Sequence, residues 1–135
     1  MTLFLKQPSL YHALGQDDGI RALVERFYEL MESLPEASTI RAMHPTDLSS
    51  SIEKLYMFLV GRFGGPNLYI ERHGHPRLRQ KHMPFAIDTA GAAAWMACMS
   101  QALKEQVEDE ELRSYVETFL GGVADFMKNR PDQTS

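Results

Sequence analysis

Apolar residues recur along this chain at helical spacing almost from end to end. Ile20, Leu23, Val24, Phe27, Leu30, Met31 and Leu34 follow one another at three- and four-residue steps, which lines them along one stripe of an α-helix. Pro35 ends that segment or opens the next short turn. A second helix is expected from about Asp47, with Thr46 as N-cap and Leu48, Ile52, Leu55, Phe58 and Leu59 turned inward, until Gly64-Gly65-Pro66 stop it. A third is expected after Asp88, a good N-cap, running to about Gln106 with Ala92, Trp95, Met99, Ala102 and Leu103 on its inner stripe. A fourth opens with Glu108, Asp109, Glu110 and Glu111, whose charges suit the positive end of a helix dipole. Leu112, Tyr115, Val116, Phe119, Leu120, Val123 and Phe126 give it an almost unbroken apolar face, and Gly121 and Gly122 inside it imply close packing. Alternating apolar and polar runs are missing, as are repeats and low-complexity tracts, so the expected fold class is all-α.

Length makes this one domain: 135 residues bury a single core. Residues 1–8 read as an N-terminal extension and 129–135 as a frayed, flexible tail. A net charge of -4 gives no overall pull toward nucleic acid. The weakly polar run from Ala90 to Met99 is far shorter than a bilayer span, and Met1 to Lys6 lacks the basic and apolar regions of a signal peptide. These features point to a cytoplasmic protein with no nucleic-acid or membrane partner. Cys98 is the single cysteine, which excludes an internal disulfide and any site built from several thiolates. Polar, acidic outer helix faces suggest a monomer or weak dimer.

The stretch from Gly64 to Ile87 does not fit a plain bundle. It is rich in Gly, Pro, His and Arg, and long connections of this kind are usually functional or hold short helices of their own. A basic cluster, Arg72, Arg77, Arg79 and Lys81, stands out there against the acidic background. Pro76 suits the first residue of a helix and Pro84 its end, with His82 in the last turn between them. A histidine so placed can turn its ring inward while its second nitrogen donates to a backbone carbonyl, the usual setting of a metal-ligating imidazole. Leu78, Met83, Phe85 and Ile87 would surround it with apolar surface, and Arg77, Arg79 and Lys81 with positive charge. A flat apolar ligand with carboxylates on one edge matches that environment, and heme is such a ligand. Taken alone, His82 also fits a packed or capping histidine. His73 and His75 could suggest zinc, but they lack nearby cysteines and sit in a Gly-rich setting that favours a turn.

From Tyr11 to about Asn129 the segments together resemble the truncated hemoglobins, group II. The resemblance is carried by Phe27-Tyr28, Met43-His44-Pro45, Lys54 through Phe58-Leu59, Gly64-Gly65-Pro66 and Tyr69. It continues through Arg72-His73-Gly74-His75-Pro76-Arg77-Leu78-Arg79, His82-Met83-Pro84-Phe85, Trp95 and Cys98-Met99. It implies a two-over-two helical sandwich around heme b (iron protoporphyrin IX), with His82 as the iron ligand. Tyr28, His44 and Trp95 align with the polar distal residues. Ser51, Lys54, Tyr69 and Lys81 align with positions that reach the heme edge or propionates, and Leu55, Phe58, Leu78, Phe85, Trp95 and Met99 complete the heme-binding set.

By the same resemblance Tyr28, Trp95 and His44 supply three hydrogen-bond donors to one heme face, stabilising negative charge on bound oxygen and slowing its release. Ser51 stands where ordinary globins carry a distal histidine, and Leu55 cannot donate. His44 can also hydrogen-bond Tyr28, coordinate the iron, or leave room for Tyr28 to do so. Without the resemblance Tyr28 and Trp95 read as core residues. The implied function is binding of O2, CO, NO and peroxide, with redox detoxification of nitric oxide dioxygenase or peroxidase type. Such a cycle needs an external electron-donating reductase. An oxygen carrier, store or gas sensor is the alternative. A helical interaction module without cofactor would leave the Pro76–His82–Pro84 segment unexplained.

Overall fold

Local chemistry sets most of the helix boundaries. The computed structural model describes residues 9–74 and 87–128, and every regular element among them is helical. Ser9 caps α1 (Leu10–Ala13) by accepting from the backbone N–H of His12. Gly15, at φ 95°, then turns the chain into α2 (Gln16–Ser33), and Pro35 opens a single 3-10 turn over Pro35–Ala37. After it come α3 (Ser38–Ala42), α4 (Ser49–Arg62) and α5 (Leu68–His73). Asp88 caps α6 (Thr89–Gln106) by accepting from Gly91, and Asp109 caps α7 (Glu110–Phe126) by accepting from Glu111 and Leu112.

Two starts differ from the sequence expectation by the logic of capping. Helix α7 begins at Glu110 and not Glu108, because the Asp109 carboxylate must stand just outside the helix to reach its free N–H groups. Helix α4 begins at Ser49, because the Asp47 carboxylate bonds the backbone N–H and hydroxyl of Ser49, forming a turn that ends the preceding loop.

The two long helix pairs are joined through α2. Its stripe of Ile20, Leu23, Val24, Phe27, Leu30 and Met31 is buried, and it packs on α6 and on α4, while α6 packs in turn on α7. The core continues through Met57, Leu59 and Val60 of α4, Cys98, Met99, Ala102 and Leu103 of α6, and Leu112, Val116 and Leu120 of α7. The stripe expected for α7 is narrower than the sequence pattern suggests. Tyr115 is 56% and Phe126 62% exposed, because they flank the arc that Leu112, Val116, Leu120 and Ala124 turn inward. Nor does close packing explain Gly121 and Gly122. A Cβ on Gly121 would meet only the Met96 methyl, at 4.0 Å, and one on Gly122 would meet no described atom within 4 Å.

The N-terminal extension 1–8 and the tail 129–135 lie outside the described residues. So does the segment from Pro76 to Pro84 with Leu78, Lys81, His82 and, just beyond it, Phe85. No helix among the described residues is long and apolar enough to cross a membrane.

Gly19 is required by a close approach: a Cβ there would collide with the backbone carbonyl of Leu14. Gly19→Ala should therefore destabilise the protein by about 1–3 kcal/mol, the usual range for overpacking, despite alanine's better helix propensity. Gly122→Ala, in an exposed helix interior, should instead stabilise it by roughly 0.5–1 kcal/mol. Urea unfolding of the two variants checks the opposite signs.

Candidate functional site

Tyr28 follows Phe27 on α2 and so lies at the edge of the buried stripe. It is only 6% exposed. Burial alone pushes its pKa well above the ordinary phenol value, with no hydrogen bond contributing, so the hydroxyl has no partner among the described residues. An unsatisfied buried hydroxyl costs roughly 1–3 kcal/mol, which makes it a site waiting for an acceptor.

His44 approaches from the connection between α3 and α4. Its ring meets Tyr28 edge-on at 5.7 Å between centroids. Its Nδ1 lies 2.8 Å from the Ile40 carbonyl, and its backbone N–H donates to the Arg41 carbonyl at 3.0 Å. A carbonyl only accepts, so Nδ1 carries the proton, and the neutral ring presents a lone pair at Nε2. In its neutral form the ring therefore has its one N–H on Ile40, and Nε2 is left as an acceptor.

Trp95, on α6, is half-buried, and its ring lies 5.0 Å from Phe27, which in turn is 4.9 Å from Tyr28. The structure thus brings the three expected distal residues into one row, His44–Tyr28–Phe27–Trp95, running from the α3–α4 connection across α2 to α6. Phe27, which the periodicity marks only as core, is the spacer that holds Tyr28 and Trp95 apart.

Ser51, Lys54, Leu55 and Phe58 share one face of α4 by their three- and four-residue spacing. On that face Ser51, Leu55 and Phe58 are half-buried and Lys54 is exposed, whereas Tyr56, Met57, Leu59 and Val60 are buried. Leu48, Ile52, Trp95 and Met96 are also only half-covered. Tyr69 is buried on α5, and Met99 is wholly buried in the core. Half-covered apolar side chains on α4 and α6, together with a buried hydroxyl that has no acceptor among the described residues, suit a flat apolar cofactor that presents a small polar ligand. The residues present fit a heme.

Sequence reasoning missed Arg41. Its Nε donates to the Glu32 carboxylate at 2.8 Å, and its two terminal nitrogens donate to the Pro45 and Thr46 carbonyls at 3.0 Å each. The only signal available was an arginine three residues before His44-Pro45, which by itself says nothing of a partner on α2.

Comparison with known proteins defines the class: the chain matches the bacterial-like globin family over residues 9–129 and belongs to it. Within that family its relatives are the group II, two-on-two truncated hemoglobins, and its fold is theirs. It is 36% identical to group 2 truncated hemoglobin YjbI of Bacillus subtilis over 122 residues, covering 90% of this chain and 89% of that one. The group II 2-on-2 hemoglobin of Agrobacterium tumefaciens superposes with a TM-score of 0.89 at 42% identity, covering 94% of this chain and 98% of that one. A truncated oxygen-avid haemoglobin from Bacillus subtilis superposes at 0.82 with 36% identity, covering 90% and 99%. Family membership implies a heme cofactor and the binding of small gas ligands.

The unpartnered hydroxyl gives a prediction with a definite sign. Tyr28→Phe should stabilise the heme-free protein by about 1 kcal/mol at neutral pH, since it removes the unsatisfied group and little apolar contact. The folded-state pKa of Tyr28 lies above its unfolded value, so its stabilisation is fully present below about pH 10 and is lost as pH rises beyond it. The advantage of Tyr28→Phe should therefore widen between pH 9 and pH 11. Denaturant melts at the two pH values check it.

Proposed function

We propose that this chain is a cytoplasmic heme b protein, ligated through His82, that holds O2, NO, CO or peroxide at Tyr28, Trp95 and His44 and serves redox detoxification of reactive oxygen and nitrogen species. The observation that carries this reading is buried Tyr28, whose ring lies between His44 and Phe27 and whose hydroxyl has no acceptor among the described residues. Assignment of His82 rests on the resemblance of the His82-Met83-Pro84-Phe85 segment to the family pattern. Leu78, Lys81 and Phe85 are assigned to the same heme environment on the same ground, with Ser51, Lys54, Leu55, Phe58, Tyr69 and Met99 from the described helices.

When bound, the heme supplies an iron with an open position for a diatomic ligand. The chain's own residues do the rest. Tyr28 donates its O–H to developing negative charge on the ligand, a group whose raised pKa keeps the proton in place throughout the neutral range. Trp95 adds an indole N–H and the bulk of its ring. His44, with Nδ1 held on Ile40, seats its ring against Tyr28 and in the neutral form keeps Nε2 as an acceptor. Donors already aimed at the ligand in a dry setting need no reorganisation when charge develops.

Two such hydrogen bonds, each worth about 1 kcal/mol or somewhat more with charge, slow ligand release by roughly 10- to 1000-fold. Strong retention suits chemistry on the ligand better than delivery, and the similarity to a protein described as oxygen-avid supports it. Electrons are assigned to an external electron-donating reductase, and the acting species to a monomer or weak dimer.

Visible absorption spectra of heme-loaded protein in ferric, ferrous and ferrous-CO states, beside His82→Gly, test the assignment. A Soret band that shifts with CO and is lost or altered in the variant is expected, and absence of stoichiometric heme would sink the proposal. Stopped-flow release rates then test the donors: oxygen should leave Tyr28→Phe about tenfold faster than wild type, the equivalent of one charge-assisted hydrogen bond. Release that is already fast in wild type would favour a carrier or store.

A further inference from the structure

Between Ala42, the last residue of α3, and Ser49, the first of α4, no helix holds the backbone, yet this is the connection that delivers His44 to Tyr28. Three hydrogen bonds from one side chain take the place of a helix there. Arg41 donates from Nε to Glu32 near the end of α2, and from its two terminal nitrogens to the carbonyls of Pro45 and Thr46, immediately after His44. Its side chain is 19% exposed, against 58% for Glu32, so the guanidinium is largely covered although its three hydrogen bonds lie at the surface.

We propose that Arg41 is a positioning residue for the distal corner: it ties the segment after His44 to α2 and keeps the His44 ring seated on Tyr28. This rests on the reading of Tyr28 and His44 as the ligand-facing pair, and adds to it the group that decides where His44 stands. Glu32 lies four residues beyond Tyr28, on the same face of α2, so the clamp and the tyrosine share one rigid element. The segment is gripped from both ends, since His44 itself bonds the Ile40 and Arg41 carbonyls before the clamp takes hold of Pro45 and Thr46.

Only arginine meets the geometry. Its planar fork serves one carboxylate and two carbonyls at once, which the single nitrogen of a lysine cannot do. An open recess of ≈470 Å³ lies at the clamp itself, lined by Glu32, Pro35, Ser38, Arg41, His44 and Thr46 among others. His44 is common to the recess wall and to the contact with Tyr28. Releasing the clamp therefore loosens the ring that the recess and the Tyr28 contact have in common, and a small ligand gains room to pass it.

The test uses 15N-labelled, heme-loaded protein in the ferrous-CO state, as wild type, Arg41→Lys, Arg41→Gln and Glu32→Gln. Two readouts are followed: exchange of the His44 Nδ1–H with solvent by NMR, and CO association by flash photolysis. Both Arg41 variants should speed the His44 exchange roughly tenfold, as protection by local structure is lost, and raise the CO association rate about threefold or more. Glu32→Gln keeps an oxygen that accepts from Nε and should stay within about twofold of wild type on both readouts.

A merely structural role would lower the melting temperature of the Arg41 variants while leaving both readouts within about twofold, and that result overturns the proposal. So does wild-type protein whose Arg41 Nε–H exchanges as fast as that of free arginine, a measurement that needs no variant to fold. An absent Soret band overturns the heme reading instead, and the His44 exchange rate still reports on the clamp.

Discussion

The grip on α2 from two sides is the constraint on which the rest of this structure depends. Because α2 packs on α4 and on α6, its stripe from Ile20 to Met31 is sealed and its rotation is set. Rotation of a helix with a sealed stripe decides which residue comes next around its circumference. Here that residue is Tyr28, which is carried to the edge of the core, buried and with its hydroxyl unsatisfied among the described residues. Phe27, one position earlier, is driven against Trp95 of α6 by the same rotation. The row of rings is thus a by-product of helix packing, and its polar members are placed by the apolar ones.

Polar accounting then gives the row its chemistry. Buried hydrogen-bonding groups in proteins are nearly always paired, so a buried hydroxyl without a partner is informative. Tyr28 is such a group, and His44 beside it has its only neutral N–H committed to Ile40. The corner therefore holds a donor without a partner among the described residues, beside a ring that in its neutral form keeps only Nε2 as an acceptor, and no hydrogen bond joins the two. Arg41 belongs to the same account: three donors on one rigid group satisfy a carboxylate and two loop carbonyls and, in doing so, define the loop.

Much of the fold was legible in the residues. The three- and four-residue apolar spacing matches the buried stripes over 20–31 and 99–103, while Leu34 and Trp95 at the ends of the expected runs are half-buried; Asp88 and the Gly64-Gly65-Pro66 run mark boundaries that the helices obey, with Gly64 at φ 103°. The α7 stripe was overread at Tyr115 and Phe126. Spacing states which side chains share a side of a helix, and how wide an arc is covered depends on the neighbour that covers it. The starts of α4 and α7 were displaced because several adjacent acids and hydroxyls compete as caps, and only backbone geometry selects one.

By itself the sequence determined the helical class, the order of the long helices and the family to which the chain belongs, because periodicity, caps and a long motif are properties of residues near one another in the chain. It also named Tyr28, His44 and Trp95 as a set. Only the tertiary structure decided that Tyr28 has no partner among the described residues, that the His44 ring donates to Ile40, and that Arg41 joins Glu32 to the carbonyls of Pro45 and Thr46. Those facts depend on where a particular N–H or carbonyl points after the helices have packed, and a hydrogen bond is lost over about an ångström or a few tens of degrees. Apolar burial tolerates such displacements, which is why pattern alone reaches the core and stops short of the hydrogen bonds.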